Sequence, residues 1–109
     1  MLETDYKFGD AIRLASQVQP ADERVQFKRV FENANGGVVL LAFKAGQKLD
    51  KHVAPADVMV CVLEGEIEFT MIDTPRILRA GEFLLIGADV PHSVVALTDS
   101  KVMLVKVKP

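Results

Sequence analysis

From Val25 onward the apolar residues come almost entirely in short runs, none longer than six, separated by turn-forming clusters at intervals of roughly 8–12 residues. The clusters are Asn33-Ala-Asn-Gly-Gly, Ala45-Gly46, Pro55-Ala56-Asp57, Glu64-Gly65, Asp73-Thr-Pro75, Ala80-Gly81 and Gly87-Ala-Asp-Val-Pro91. Short apolar runs bounded by turn residues suit strands of ordinary length. The punctuation predicts strands near 25–32, 37–44, 48–53, 58–63, 66–72, 76–79, 82–86, 92–97 and 101–107. The fold class is therefore all-β, an antiparallel sandwich or barrel over residues 25–109. Residues 1–24 form an N-terminal arm, in which Ala11-Ile-Arg-Leu-Ala-Ser reads as a helical turn or a short edge strand and Pro20 as a break.

The strands are of two kinds. Ile67, Phe69 and Met71 alternate with Glu66, Glu68 and Thr70, the pattern of a strand with one dry and one wet face. Val38–Phe43 and Val58–Leu63 are apolar at every position, so both of their faces need cover. One domain has few layers to spare. The expected arrangement is a barrel whose interior takes one face, while a second copy of the chain covers the other, giving a homodimer.

Composition removes several function classes. Thirteen basic against fifteen acidic residues leave a net charge of −2, with no basic excess to bind nucleic acid by counterion release. The longest apolar runs fall far short of the ~20 residues of a membrane helix, so no membrane partner is expected. The acidic start Met1-Leu-Glu-Thr-Asp lacks the order of a signal peptide, and the single cysteine, Cys61, permits no intrachain disulfide; both suggest the cytoplasm. Cys61, within an apolar strand, reads as an inert buried thiol.

The chemistry-bearing candidates are the only two histidines. His52 sits at a strand end before Pro55, and His92 directly follows Pro91. Each is expected to point inward, beside Ala54 in one case and Val94 and Ala96 in the other. Imidazole is the commonest metal ligand and titrates near neutrality unaided, so two inward rings in one small barrel form the natural site.

The stretch from Gly46 through His52, Ala54 and Val58 to Gly65 resembles the first motif of the cupin superfamily: a glycine, five residues, His-x-His, three or four residues, a glutamate, six residues and a glycine. The stretch from Gly81 through Gly87-Ala88-Asp89 and His92 to Ala96 resembles the second: a glycine, five residues, Pro-x-Gly, two residues, a histidine, three residues and an asparagine. Fifteen residues separate them, the short gap of small bacterial cupins. The resemblance implies a single-domain jelly-roll barrel, a double-stranded β-helix.

It also implies a metal site, because cupin enzymes bind iron, manganese, nickel or zinc through three histidines and a glutamate. Carried over position by position, His52 and His92 occupy two ligand positions, while Ala54 stands at the second histidine and Val58 at the glutamate. Asp57, one residue before the expected glutamate, would turn inward if a bulge followed Pro55. A regular register instead directs Val58, Val60 and Val62 inward, and the family spacing to Gly65 favours it.

Two function classes follow. In the first, the barrel binds a small molecule with little or no catalysis, in a pocket lined by Phe43, Val58, Val60, Phe69, Phe83 and Val94, with His52 and His92 as polar contacts. In the second, a divalent iron, manganese, nickel or zinc ion on His52 and His92 serves a dioxygenase, isomerase or lyase. Beside both stands a plainer reading, that the histidines are inherited and hydrogen-bonded in a barrel that no longer holds metal. A purely structural or sensory barrel is a further class, weakened by the lack of a basic stripe.

Overall fold

Nine strands lie where the short apolar runs place them in the computed structural model, which describes residues 1–109. They are β1 (Gln26–Asn33), β2 (Gly36–Phe43), β3 (Lys48–His52), β4 (Asp57–Glu64), β5 (Glu66–Met71), β6 (Thr74–Arg79), β7 (Phe83–Ile86), β8 (His92–Ala96) and β9 (Ser100–Val107). The arm contributes a single 3-10 turn, Leu14–Gln17. Asp73-Thr-Pro75 is less of a turn than the sequence suggests. The reversal is made by Ile72 and Asp73, and Thr74 already pairs with Met71, with Pro75 in β6. Proline is tolerated there because β6 ends its sheet and one side of it faces no neighbour.

All pairings are antiparallel. One sheet has the order β1-β2-β9-β4-β7 and the other β3-β8-β5-β6. The chain alternates between sheets at β2–β3, β3–β4, β4–β5, β6–β7, β7–β8 and β8–β9, which wraps them face to face into a jelly roll. The inward residues form one core that includes Leu41, Phe43, Val60, Val62, Ile67, Phe69 and Val102, all nearly inaccessible. Strict alternation holds in β4: Val58, Val60 and Val62 are buried while Met59, Cys61 and Leu63 face the other way.

That register corrects two expected site residues. No bulge follows Pro55, so Asp57 pairs with Val107 on the outer side, and its Oδ1 accepts the Ala88 N–H at 2.9 Å. It ties down the loop before His92 and is no part of the pocket. Phe83 pairs with Cys61, and residues paired across an antiparallel ladder share a face. Phe83 is therefore outward and 58% exposed, while Leu84 and Ile86 of the same strand point in. Four apolar residues in a row, Phe83–Ile86, give no internal hint of which pair is inward.

The outer face of β2 is covered within the chain. Leu40 and Ala42 are completely buried beneath Val18 of the arm, with Val30, Leu63 and Met103 around them. The Lys101 ammonium, also beneath the arm, donates to the Ala15 carbonyl, and Glu3 extends β1 through a two-way backbone bridge to Glu32. A second copy is thus not needed over β2. The outer faces of β4, β7 and the end of β9 have no such cover: Leu85 is 68% exposed and Val107 58%. No helix is long and apolar enough to cross a membrane.

Candidate functional site

The two histidines meet. His52 ends β3 and His92 opens β8, and the two are direct partners across that pair of strands. The register arrives there by a bulge: Leu49 faces Val94, but three steps along β3 match only two along β8. Leu49 points into the barrel, so simple alternation would place Lys51 inward and His52 outward. The extra residue reverses this and sets His52 against His92, with ring centroids 4.2 Å apart and planes at 61°. On its other side His92 stacks on Phe69 of β5, at 5.5 Å and 14°.

Both rings have one nitrogen already committed. His52 Nδ1 lies 2.8 Å from the Asp50 carbonyl, and His92 Nδ1 lies 2.9 Å from that of Val90. A carbonyl oxygen only accepts, so each Nδ1 carries the proton and donates it. In the neutral ring the lone pair is then on Nε2, at the far edge of each imidazole. Burial pushes the His92 pKa below its ordinary 6.5; the Val90 carbonyl opposes that shift, and the His52 ring adds to it. Two rings this close cannot both take a proton cheaply. With both rings neutral, the pair presents two acceptors.

They line one cavity of about 280 Å³. Of the other residues expected there, Phe43, Val58, Val60, Phe69 and Val94 also line it, while Asp57 and Phe83 do not. Among the wall residues that sequence reasoning missed are Leu41, Leu49, Ile67, Ile86, Leu104 and Lys106. Val102–Val105 is another uniformly apolar run, so the inward direction of Val102, Leu104 and Lys106 leaves no sign in the sequence. The loop before His92 is held by Asp89, whose N–H donates to the Ala54 carbonyl at 2.8 Å. Asp89 takes φ 64°, at the position where the second motif has its glycine. Aspartate is one of the few side chains that visit this region readily, so the turn survives the replacement.

Nothing joins the two imidazoles as a ligand set. Ala54 and Val58 face the same cavity and offer no donor, and no group of three or more His, Cys, Asp or Glu side chains gathers anywhere in the molecule. A catalytic zinc takes three protein ligands, and non-haem iron oxygenases use two histidines and a carboxylate. The residues present do not fit a resident metal centre.

A jelly-roll barrel with paired histidines at the mouth of an apolar interior defines a recognisable class of protein. Residues 39–108 match the Cupin domain family, and the chain belongs to it. A conserved protein of unknown function from Streptococcus pyogenes superposes with a TM-score of 0.89 at 23% identity, covering 97% of this chain and 93% of that one. An RmlC-like cupin from Desulfovibrio desulfuricans is 30% identical over 96% of both chains, with a TM-score of 0.74. A cupin 2 conserved barrel domain protein from Leptotrichia buccalis is 31% identical with a TM-score of 0.85; the match covers 89% of this chain and 47% of that longer one. No curated protein matches the sequence.

Proposed function

We propose that this barrel binds a small apolar molecule carrying a hydrogen-bond donor, a hydroxyl or phenol, in the cavity behind His52 and His92. One observation carries the reading: both Nδ1 atoms are spent on backbone carbonyls, so the free nitrogen of each ring at the cavity mouth is Nε2, beside walls that are apolar apart from Lys106. A few fixed polar groups in an apolar pocket orient a ligand. With about 30 Å³ per water-sized group, the cavity suits a ligand on the order of ten non-hydrogen atoms. A metal-dependent dioxygenase, isomerase or lyase needs more donors than His52 and His92 supply.

The test is a matched pair of probes, 4-methylphenol and 4-methylanisole, which differ in the ability to donate. The phenol is expected to bind more tightly by about fivefold to tenfold, one neutral hydrogen bond's worth, and to shift the Nε2 resonance of the histidine that accepts its proton. Replacing both His52 and His92 by Phe should erase the preference. Equal binding, or phenol binding without any response at Nε2, would defeat the reading. Protein purified without chelator is expected to hold less than about a tenth of an equivalent of iron, manganese, nickel or zinc. Stoichiometric metal that disappears in His52→Ala would favour the enzyme instead.

The uncovered outer strip of Met59, Cys61, Phe83, Leu85 and Val105 carries no charge, and β7 leaves one backbone edge unpaired. An uncharged strip is complementary to itself, and a second copy of this chain is the occupant we propose for it. Sedimentation at micromolar concentration should show twice the 12.0 kDa chain mass, and Leu85→Asp should return the single-chain species. A wild-type protein that sediments only as one chain would end the dimer.

A further inference from the structure

Lys106 is on the wrong side of its strand for a lysine that serves only solubility. Along β9, Val102, Leu104 and Lys106 stand on the inner face, while Met103, Val105 and Val107 stand on the outer one; Lys106 is exposed, at the barrel rim. Inward charges on edge strands guard against unwanted pairing, but β9 lies between β2 and β4 in the middle of its sheet and needs no guard. Lys106 lines both the histidine cavity and a wider vestibule beside it, and the two also share Leu41, Leu49, His52, Ala54, Pro55 and Leu104.

The vestibule is cationic. Arg29, Lys106 and Lys108 line it against a single acid, Glu32. Glu32 is taken by Arg29 at 3.1 Å, and Arg29 is further held by Glu3 at 3.5 Å and Asp5 at 3.8 Å. The acids of the arm therefore neutralise the arginine and leave Lys106 as the rim cation of the inner cavity. Lys106 takes part in none of the ion pairs of the chain. Its methylene stem suits the apolar wall beside Val58, its cross-strand partner, with the ammonium toward the vestibule.

We infer that the pocket selects small carboxylates: the ligand's hydroxyl sits on the paired imidazoles, its apolar body fills the cavity, and its anionic end is received by Lys106. This rests on the pocket reading above and adds the ligand's charge. Neutral imidazoles cannot themselves hold a carboxylate, since their Nε2 lone pairs would face an acceptor-only group; the cation has to come from elsewhere, and Lys106 supplies it.

The experiment compares 4-hydroxyphenylacetate with 4-hydroxyphenylacetamide by calorimetry on wild type, Lys106→Met and Lys108→Met. Wild type is expected to favour the carboxylate by about tenfold, a preference that shrinks with added salt as a partly screened charge pair must. Lys106→Met, which keeps the stem, should equalise the two probes, while Lys108→Met retains the preference. Equal binding of both probes to wild type overturns the carboxylate inference and leaves the pocket reading standing. Binding of neither probe overturns both. A preference that survives in Lys106→Met and is lost in Lys108→Met moves the anion site out of the cavity and refutes the assignment.

Discussion

Gly65→Ala should cost about 2–5 kcal/mol of unfolding free energy, a large share of the 5–15 kcal/mol that holds a domain together. Two effects add. Gly65 has φ +82°, where a side chain costs about 1–2 kcal/mol. A Cβ there would also press on the Asp99 carbonyl and the Ser100 hydroxyl, and overpacking adds about 1–3 kcal/mol. The neighbours cannot give way easily. Ser100 is fully buried, accepts the Glu66 N–H at 3.0 Å and donates to the Thr98 carbonyl at 2.8 Å. Gly65 and Ser100 stand where β4–β5 and β8–β9 each cross from one sheet to the other, so a shift would open two corners at once. Gly81→Ala isolates the first effect: its φ is +88° with nothing within 4 Å of the new carbon, so only about 1–2 kcal/mol should be lost. Urea denaturation of both variants decides the matter. Equal losses would mean that the corner contact contributes nothing.

The strands were legible because turn chemistry and apolar runs mark them independently, and all nine lie within a few residues of where those marks fall. The inward face of β4 followed from alternation combined with the spacing to Gly65. What the residues could not disclose is how neighbouring strands are matched. Phe83 lies in a uniformly apolar run, and only its pairing with Cys61 gives its direction. The bulge that aims His52 leaves no trace in Lys48-Leu-Asp-Lys-His52, a stretch any register could accommodate. The cover over Leu40 and Ala42 was sought in another molecule, because an irregular arm gives no periodic sign that Val18 will dock. Local pattern fixes elements, whereas pairing and docking depend on residues far apart in the chain.

Putting donors at the two apolar positions should turn this pocket into a metal site. Ala54→His together with Val58→Glu supplies the histidine and carboxylate that the first cupin motif carries, on side chains that already face the cavity holding His52 and His92. Two ligands become four, and affinity for zinc or nickel should rise by at least about a hundredfold, to one equivalent per chain. The metal-free variant should be less stable by several kcal/mol, because the carboxylate replaces a valine that is only 7% exposed. Lys106, opposite position 58 on β9, softens that loss by offering an ammonium. The melting temperature should therefore climb as zinc is added and fall again with EDTA, since an ion that binds only the folded chain stabilises it by mass action. Ala54→His with Met59→Glu is the control. Met59 lies one residue further along β4 and faces outward, so this pair should bind no better than wild type. Tight binding by the control, or none by the first variant when circular dichroism shows it folded, would mean that positions 54 and 58 do not converge on the imidazoles.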